Sequence, residues 1–140
     1  MKEDRNMHAL FESEAKLTVD MSVFEQMKKT AEAELSKAET GRYTQAIVLL
    51  SSKGNEYSTL IKNALSEGKT DEIALLEKMK NFNDTEIRYV LCLWQDNGID
   101  IPSFDFRKLI CAHNPKNAES ILFVMTSDGV SGINASATMK

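Results

Sequence analysis

NDTEIRYVLCLWQDNG, residues 83–98, is the stretch on which the reading of the fold turns. Ile87, Val90, Leu91 and Trp94 stand at i, i+3, i+4 and i+7, the stripe of an amphipathic helix. Tyr89, Cys92 and Leu93 add apolar surface on the other faces, so a helix here would be buried around most of its circumference. Asn83 with Glu86 three residues later has the form of a capping box. Asn97-Gly98 supplies a residue able to take positive φ at the far end. The spacing predicts a central helix against which the rest of the chain packs.

Outward from this stretch the same periodicity continues. On the N-terminal side, Thr70 caps a run reaching Asn81, with Asp71 and Glu72 at the positive end of the dipole and Ile73, Leu76 and Met79 inward. Residues 56–67 place Tyr57, Leu60, Ile61, Ala64 and Leu65 on one face and stop at Gly68. In residues 43–52 the run Ala46-Ile47-Val48-Leu49-Leu50 fits either a buried strand or a helix; the flanking helices and glycines favour a short helix. Ser22-Val23-Phe24-Glu25 forms a capping box before a stripe of Phe24, Met27, Ala31 and Leu35 that Gly41 ends. Residues 7–19 fit a short helix, with Met7, Leu10 and Phe11 on its stripe, and an extended segment from Lys16.

On the C-terminal side, Ile99-Asp100-Ile101-Pro102 is an extended link. Ser103 caps a helix ending at His113, with Phe106, Leu109 and Ile110 in register. Asn114-Pro115 starts another helix, whose stripe is Ala118, Ile121, Leu122 and Met125 and which Gly129 closes. The fold expected is all-α: one domain over residues 1–130, of six or seven short helices packed as antiparallel αα-hairpins, bundled or stacked as short repeats. Residues 131–140 are expected to form a disordered tail.

Two internal matches carry a family resemblance. GRYTQAIVLL (residues 41–50) and GKTDEIALLE (residues 68–77) share a glycine followed by an Ala/Ile, Leu-rich turn, and the first is similar to the turn and second helix of a tetratricopeptide repeat. Residues 57–79, YSTLIKNALSEGKTDEIALLEKM, resemble a pentatricopeptide repeat, with Asn97-Gly98-Ile99, Pro102 and residues 106–112 echoing the next unit. The resemblance covers about half the chain. It implies stacked hairpins with a curved surface that binds a protein. In the pentatricopeptide branch it implies single-stranded RNA reading, with Thr59 at a base-reading position.

Composition limits the function classes. The chain has 140 residues, 42% hydrophobic and 27% charged, with a formal net charge of −4. That acidity disfavours a nucleic-acid surface. The charged start, MKEDRNMH, has no apolar signal core, no run is long enough to span a bilayer, and an intracellular, cytoplasmic setting is expected. Cys92 and Cys111, each inside an apolar run, form no CxxC pair. Cys111-Ala112-His113 cannot converge on a metal from a helix, and His113 suits a helix C-terminus. No nucleophile elbow or phosphate-binding loop is present. We therefore expect no cofactor, no metal and no catalysis, and a helical interaction module acting by protein–protein binding, with RNA binding as the alternative. Tyr43, Tyr57 and Tyr89 are the expected contact residues, as exposed aromatics favoured at interfaces.

Overall fold

Residues 87–94 form a strand. In the computed structural model, which describes residues 16–37, 41, 43–64 and 68–139, β3 (Ile87–Trp94) lies in the middle of a six-stranded mixed sheet. Its partners are β1 (Gln45–Ser51), β2 (Glu56–Ile61), β4 (Ile99–Asp100), β5 (Ile121–Thr126) and β6 (Gly129–Asn134). The order is β2-β1-β3-β5-β6, with β4 paired to β3, and only β3 and β5 run parallel. Among the described residues three α-helices cover the sheet: α1 (Met21–Leu35), α2 (Gly68–Asn81) and α3 (Phe104–His113).

The all-α expectation, and with it the stacked helical hairpins, is therefore corrected. A central strand covered on both faces is apolar at every position, so its period-2 alternation disappears. Such a run matches a buried helix as well as a strand. Residues 43–52 fail for the same reason, and residues 57–79, compared above with a helical repeat, are strand β2 followed by helix α2. The positive φ expected near Asn97 is present, at 69°, but it turns a hairpin between β3 and β4.

The two faces separate cleanly. Tyr89, Leu91 and Leu93 join Ala46, Val48 and Phe123 against Phe24, Met27 and Ala31 of α1. Val90 and Cys92 join Ile47, Leu49, Leu122 and Val124 against Leu75, Leu76 and Met79 of α2 and Phe106 and Ile110 of α3. Ile87 shares this second face although Tyr89 does not. The pairing steps from Leu50–Tyr89 to Ser51–Ile87, which leaves Arg88 as the extra residue of a bulge.

Helical stretches with a polar outer side were legible. The helices expected from residue 22, from Thr70 and from Ser103 are α1, α2 and α3. At α1 the capping residue is Asp20, whose carboxylate accepts from the Ser22 amide at 2.9 Å. At α3 it is Ser103, whose Oγ accepts from the Phe106 amide at 3.1 Å. Asn114-Pro115 begins only a 3-10 turn (Pro115–Glu119), after which the chain extends into β5. The expected helix stripe at Met7, Leu10 and Phe11 lies outside the described residues.

Where a tail was expected from residue 131, β6 and a 3-10 turn (Ala135–Thr138) are found, with Ile133 and Ala135 fully buried. Leu17 and Gly132 exchange backbone hydrogen bonds of 2.7 and 3.0 Å, which extends the sheet past β6. A Cβ on Gly132 would stand 2.5 Å from Ile121 Cγ2 and 2.7 Å from Val19 Cγ1. Both are methyls of β-branched side chains with little room to rotate. Gly132→Ala is expected to cost about 1–3 kcal/mol by overpacking. An unchanged urea midpoint for that variant would contradict the close approach. No helix among the described residues is long and apolar enough to cross a membrane.

Candidate functional site

The sheet face covered by α2 and α3 brings the starts of those two helices together. Glu72, in the first turns of α2, is only 7% exposed. It lies inward because Leu75, Leu76 and Met79, three, four and seven residues on, are the buried stripe of the same helix. The hydroxyl of Ser103, the cap of α3, is near enough to favour its ionised form. Burial, the first cause, and the nearby Asp105 and Asp71 push the Glu72 carboxyl from its ordinary 4.5 up to about 7, against the lowering effect of Ser103. Beneath it, burial, Asp100 and Glu72 hold the Cys92 thiol well above its usual range. Cys92 is thereby held protonated and inert as a nucleophile.

The α3 start is itself braced. Arg107 donates from Nε to the Pro102 carbonyl and from Nη1 to the Thr138 carbonyl, each at 3.0 Å. Arg107 and Lys108 both lie over the exposed ring of Phe104, 5.5 and 5.4 Å from its centroid. Asn117 fixes the other end of α3 by accepting from the Ile87 amide at 2.7 Å and donating to the Thr85 and Ile110 carbonyls. These contacts fix the start of α3 beside Glu72. Asp71 and Asp105 stand near the Glu72 carboxyl, so an anionic ligand is repelled there.

The aromatic contact residues expected from sequence are dispersed. Tyr43 is 37% exposed at the surface before β1. Tyr57 is 6% exposed and donates to Asp84 at 2.8 Å, which uses its hydroxyl inside the fold. Tyr89 is buried, stacked on Phe123 with centroids 5.2 Å apart. Thr59 sits on strand β2 opposite Ile47, so the repeat position that suggested base reading is not on a helix. His113 does end α3, and burial and Lys80 lower its pKa.

No protein-family profile and no curated protein matches the sequence. Solved structures do match. The cytidine deaminase of Mycobacterium tuberculosis aligns over 82% of this chain and 92% of its own, with TM-score 0.61 and 12% identity. That of Burkholderia pseudomallei covers 81% and 93%, with TM-score 0.59 and 15% identity. That of Mycobacterium leprae covers 78% and 92%, with TM-score 0.55 and 17% identity. The chain shares their α/β fold. The expected helical interaction module and RNA-reading repeat fall with the helical fold that supported them. The expectation of no catalysis falls as well, because these structures of the same fold are enzymes.

Zinc deaminases carry H-x-E at one helix start and P-C-x-x-C at the next, the glutamate being outside the metal's ligands. The runs of that spacing at the starts of α2 and α3 are Thr70-Asp71-Glu72 and Pro102-Ser103-Phe104-Asp105-Phe106. The glutamate and the proline are present. The three ligand positions hold Thr70, Ser103 and the fully buried phenyl ring of Phe106, none of the imidazole, thiolate or carboxylate type that zinc takes. Among the described residues no three His, Cys, Asp or Glu side chains are grouped to hold a metal. The residues present do not fit zinc. Without metal ligands beside it, Glu72 has in the sequence the form of an ordinary acidic helix start.

Proposed function

We propose that this chain is an enzyme of the nucleoside-deaminase type, acting on an uncharged, amino-bearing nucleoside or base at the paired starts of α2 and α3. The observation that carries the reading is Glu72, a buried carboxyl poised at about 7 where the starts of α2 and α3 meet. The likeness of fold to cytidine deaminases supports the substrate class.

At neutral pH such a carboxyl spends time in both protonation states, as proton transfer requires. The ionised form takes a proton from a water attacking the ring carbon that bears the amino group. The protonated form then delivers that proton to the departing nitrogen. One C–O bond forms, one C–N bond breaks, ammonia leaves, and no oxidant or reductant is needed. Asp71 and Asp105 disfavour a phosphate, so nucleosides are expected to react in preference to nucleotides. General acid–base catalysis supplies about 10²–10⁴-fold. Zinc-bound hydroxide would supply more, so turnover is expected to be slow beside that of zinc deaminases.

The test is ammonia release from cytidine and cytidine monophosphate between pH 5 and 9. Expected are a preference for the nucleoside, a rate that changes with an inflection near 7, and its loss in Glu72→Gln. Equal rates in the variant, or no release from any amino-bearing nucleoside, would contradict the reading. The two free thiols are compatible with a reducing, cytoplasmic setting.

A further inference from the structure

We infer that the seam between α2 and α3 is an acid-sensitive latch, shut while the imidazole of His113 is uncharged and loosened when that ring takes a proton. The inference goes beyond the proposed activity and does not depend on it.

A cleft of about 260 Å³ lies between the two helices, with apolar walls from Ile73 and Leu76 of α2 and Leu109 and Ala112 of α3. His113, the last residue of α3, completes the lining. Its Nε2 is shut off from water and has no hydrogen-bond partner. A neutral ring tolerates that place, because a nitrogen without a partner forfeits one hydrogen bond. A protonated ring carries N–H on both nitrogens, so Nε2 becomes a buried cationic donor with nothing to accept from it. That costs far more. A helix C-terminus by itself favours a charged histidine. Here burial, the first cause, and Lys80 prevail and lower the pKa of His113 from the ordinary 6.5. The surrounding charges do not offset this. Lys80 lines the cleft from α2 and opposes a charge on the ring, and Glu77 on the same wall does not restore it. From the segment before β3 comes the uncharged Thr85, whose hydroxyl accepts from Asn114 Nδ2 at 3.2 Å. Lys116 of the turn after α3 lines a separate pocket with Glu86 and Arg88. Protonation is therefore accommodated by parting the end of α3 from α2, which brings Nε2 to water. The closed seam is at full strength above pH 6.5 and weakens as pH falls below it, because the opened form binds the proton more tightly. Glu72, at the other end of the seam, titrates in the opposite sense.

Two experiments on the full chain decide this. In the first, the His113 ring is followed by NMR against pH in the parent and in Lys80→Gln. A midpoint below 6.5 is expected in the parent, moving up when the lysine charge is removed. A midpoint at or above 6.5 in the parent would overturn the inference. In the second, amide hydrogen exchange in the last turns of α2 and α3 is compared at matched pH for the parent and His113→Phe, whose ring cannot titrate. The comparison at each pH cancels the opposing titration of Glu72. Opening of the parent relative to the variant is expected to rise by up to about tenfold per pH unit below 6.5 and to stay level above it. A ratio that pH leaves unchanged would overturn the latch, because a merely packing role for the ring does not vary with pH. Should His113→Phe not fold, Lys80→Gln replaces it: a smaller rise in opening with acid than the parent's is expected, and an equal rise would overturn the latch. Neither readout uses deamination, so the proposed activity is tested separately.

Discussion

Asn117→Ala is expected to destabilise the protein by about 3–5 kcal/mol, a large share of the 5–15 kcal/mol typical of a domain. Asn117 is fully buried in the 3-10 turn between α3 and β5. Its Oδ1 accepts from the Ile87 amide at 2.7 Å, where β3 begins. Its Nδ2 donates to the Thr85 carbonyl at 3.0 Å and to the Ile110 carbonyl at 3.1 Å. One side chain thus joins the entry to the central strand, the last turns of α3 and the crossover into the parallel strand β5. Alanine leaves one amide and two carbonyls without that partner, at about 1–3 kcal/mol for each group that water cannot reach. Asn117→Asp keeps the acceptor but sets a carboxylate against two carbonyls, so its penalty is expected to grow as pH rises. Urea unfolding checks both; the alanine midpoint should fall by about 2 M for an ordinary slope. A loss below about 1 kcal/mol would show that the three hydrogen bonds do not act as a junction.

Glu72→Gln is expected to move stability and turnover in opposite directions. Burial and the neighbouring acids raise the folded-state pKa from the ordinary 4.5 to about 7. Between those values the folded chain holds a proton that the unfolded chain has released. Stability therefore falls as pH rises through that window and levels off above it. The shift corresponds to about 3 kcal/mol. Screening by solvent from the exposed Ser103 side reduces this to about 2 kcal/mol. Glutamine, uncharged at every pH, removes the penalty. The variant should match the parent near pH 4.5 and exceed it by about 2 kcal/mol at pH 8. Deamination should fall by about 10²-fold or more. A variant with the parent's pH–stability curve would place the titration elsewhere. A carboxyl kept at a cost to folding is what a working acid–base group demands.

The helices were legible in the sequence because each has a wet side. Ser103 and the stripes at Phe24–Met27–Ala31 and Leu76–Met79 follow local rules that hold whatever the rest of the chain does, although α1 is capped by Asp20 and not by the expected Ser22. The central sheet was not legible. Ile47, Val48, Leu49, Val90, Leu91 and Cys92 are buried on both faces, and burial from two sides erases the alternation by which strands are recognised. The β-branched and aromatic residues at Ile87, Tyr89, Val90 and Trp94 were the surviving sign of a strand. The tail from residue 131 looked disordered because Gly132 and Ser131 are small and polar. Gly132 is small because another segment presses against it. The site was hidden for a chemical reason. Glu72 and Pro102 are two fixed points of a pattern ordinarily recognised by its metal ligands, and those ligands are absent. Only the fold brings Glu72 to Ser103, thirty-one residues away, and makes its burial visible.

The most direct measurement is a carbon-NMR titration of the Glu72 carboxyl in chelator-treated protein, with and without cytidine. The account predicts a midpoint near 7 in the free protein and a displaced midpoint when the nucleoside is bound, with no metal added. A midpoint near 4.5, or a curve that cytidine leaves unmoved at saturating concentration, would contradict the assignment of this carboxyl to the site.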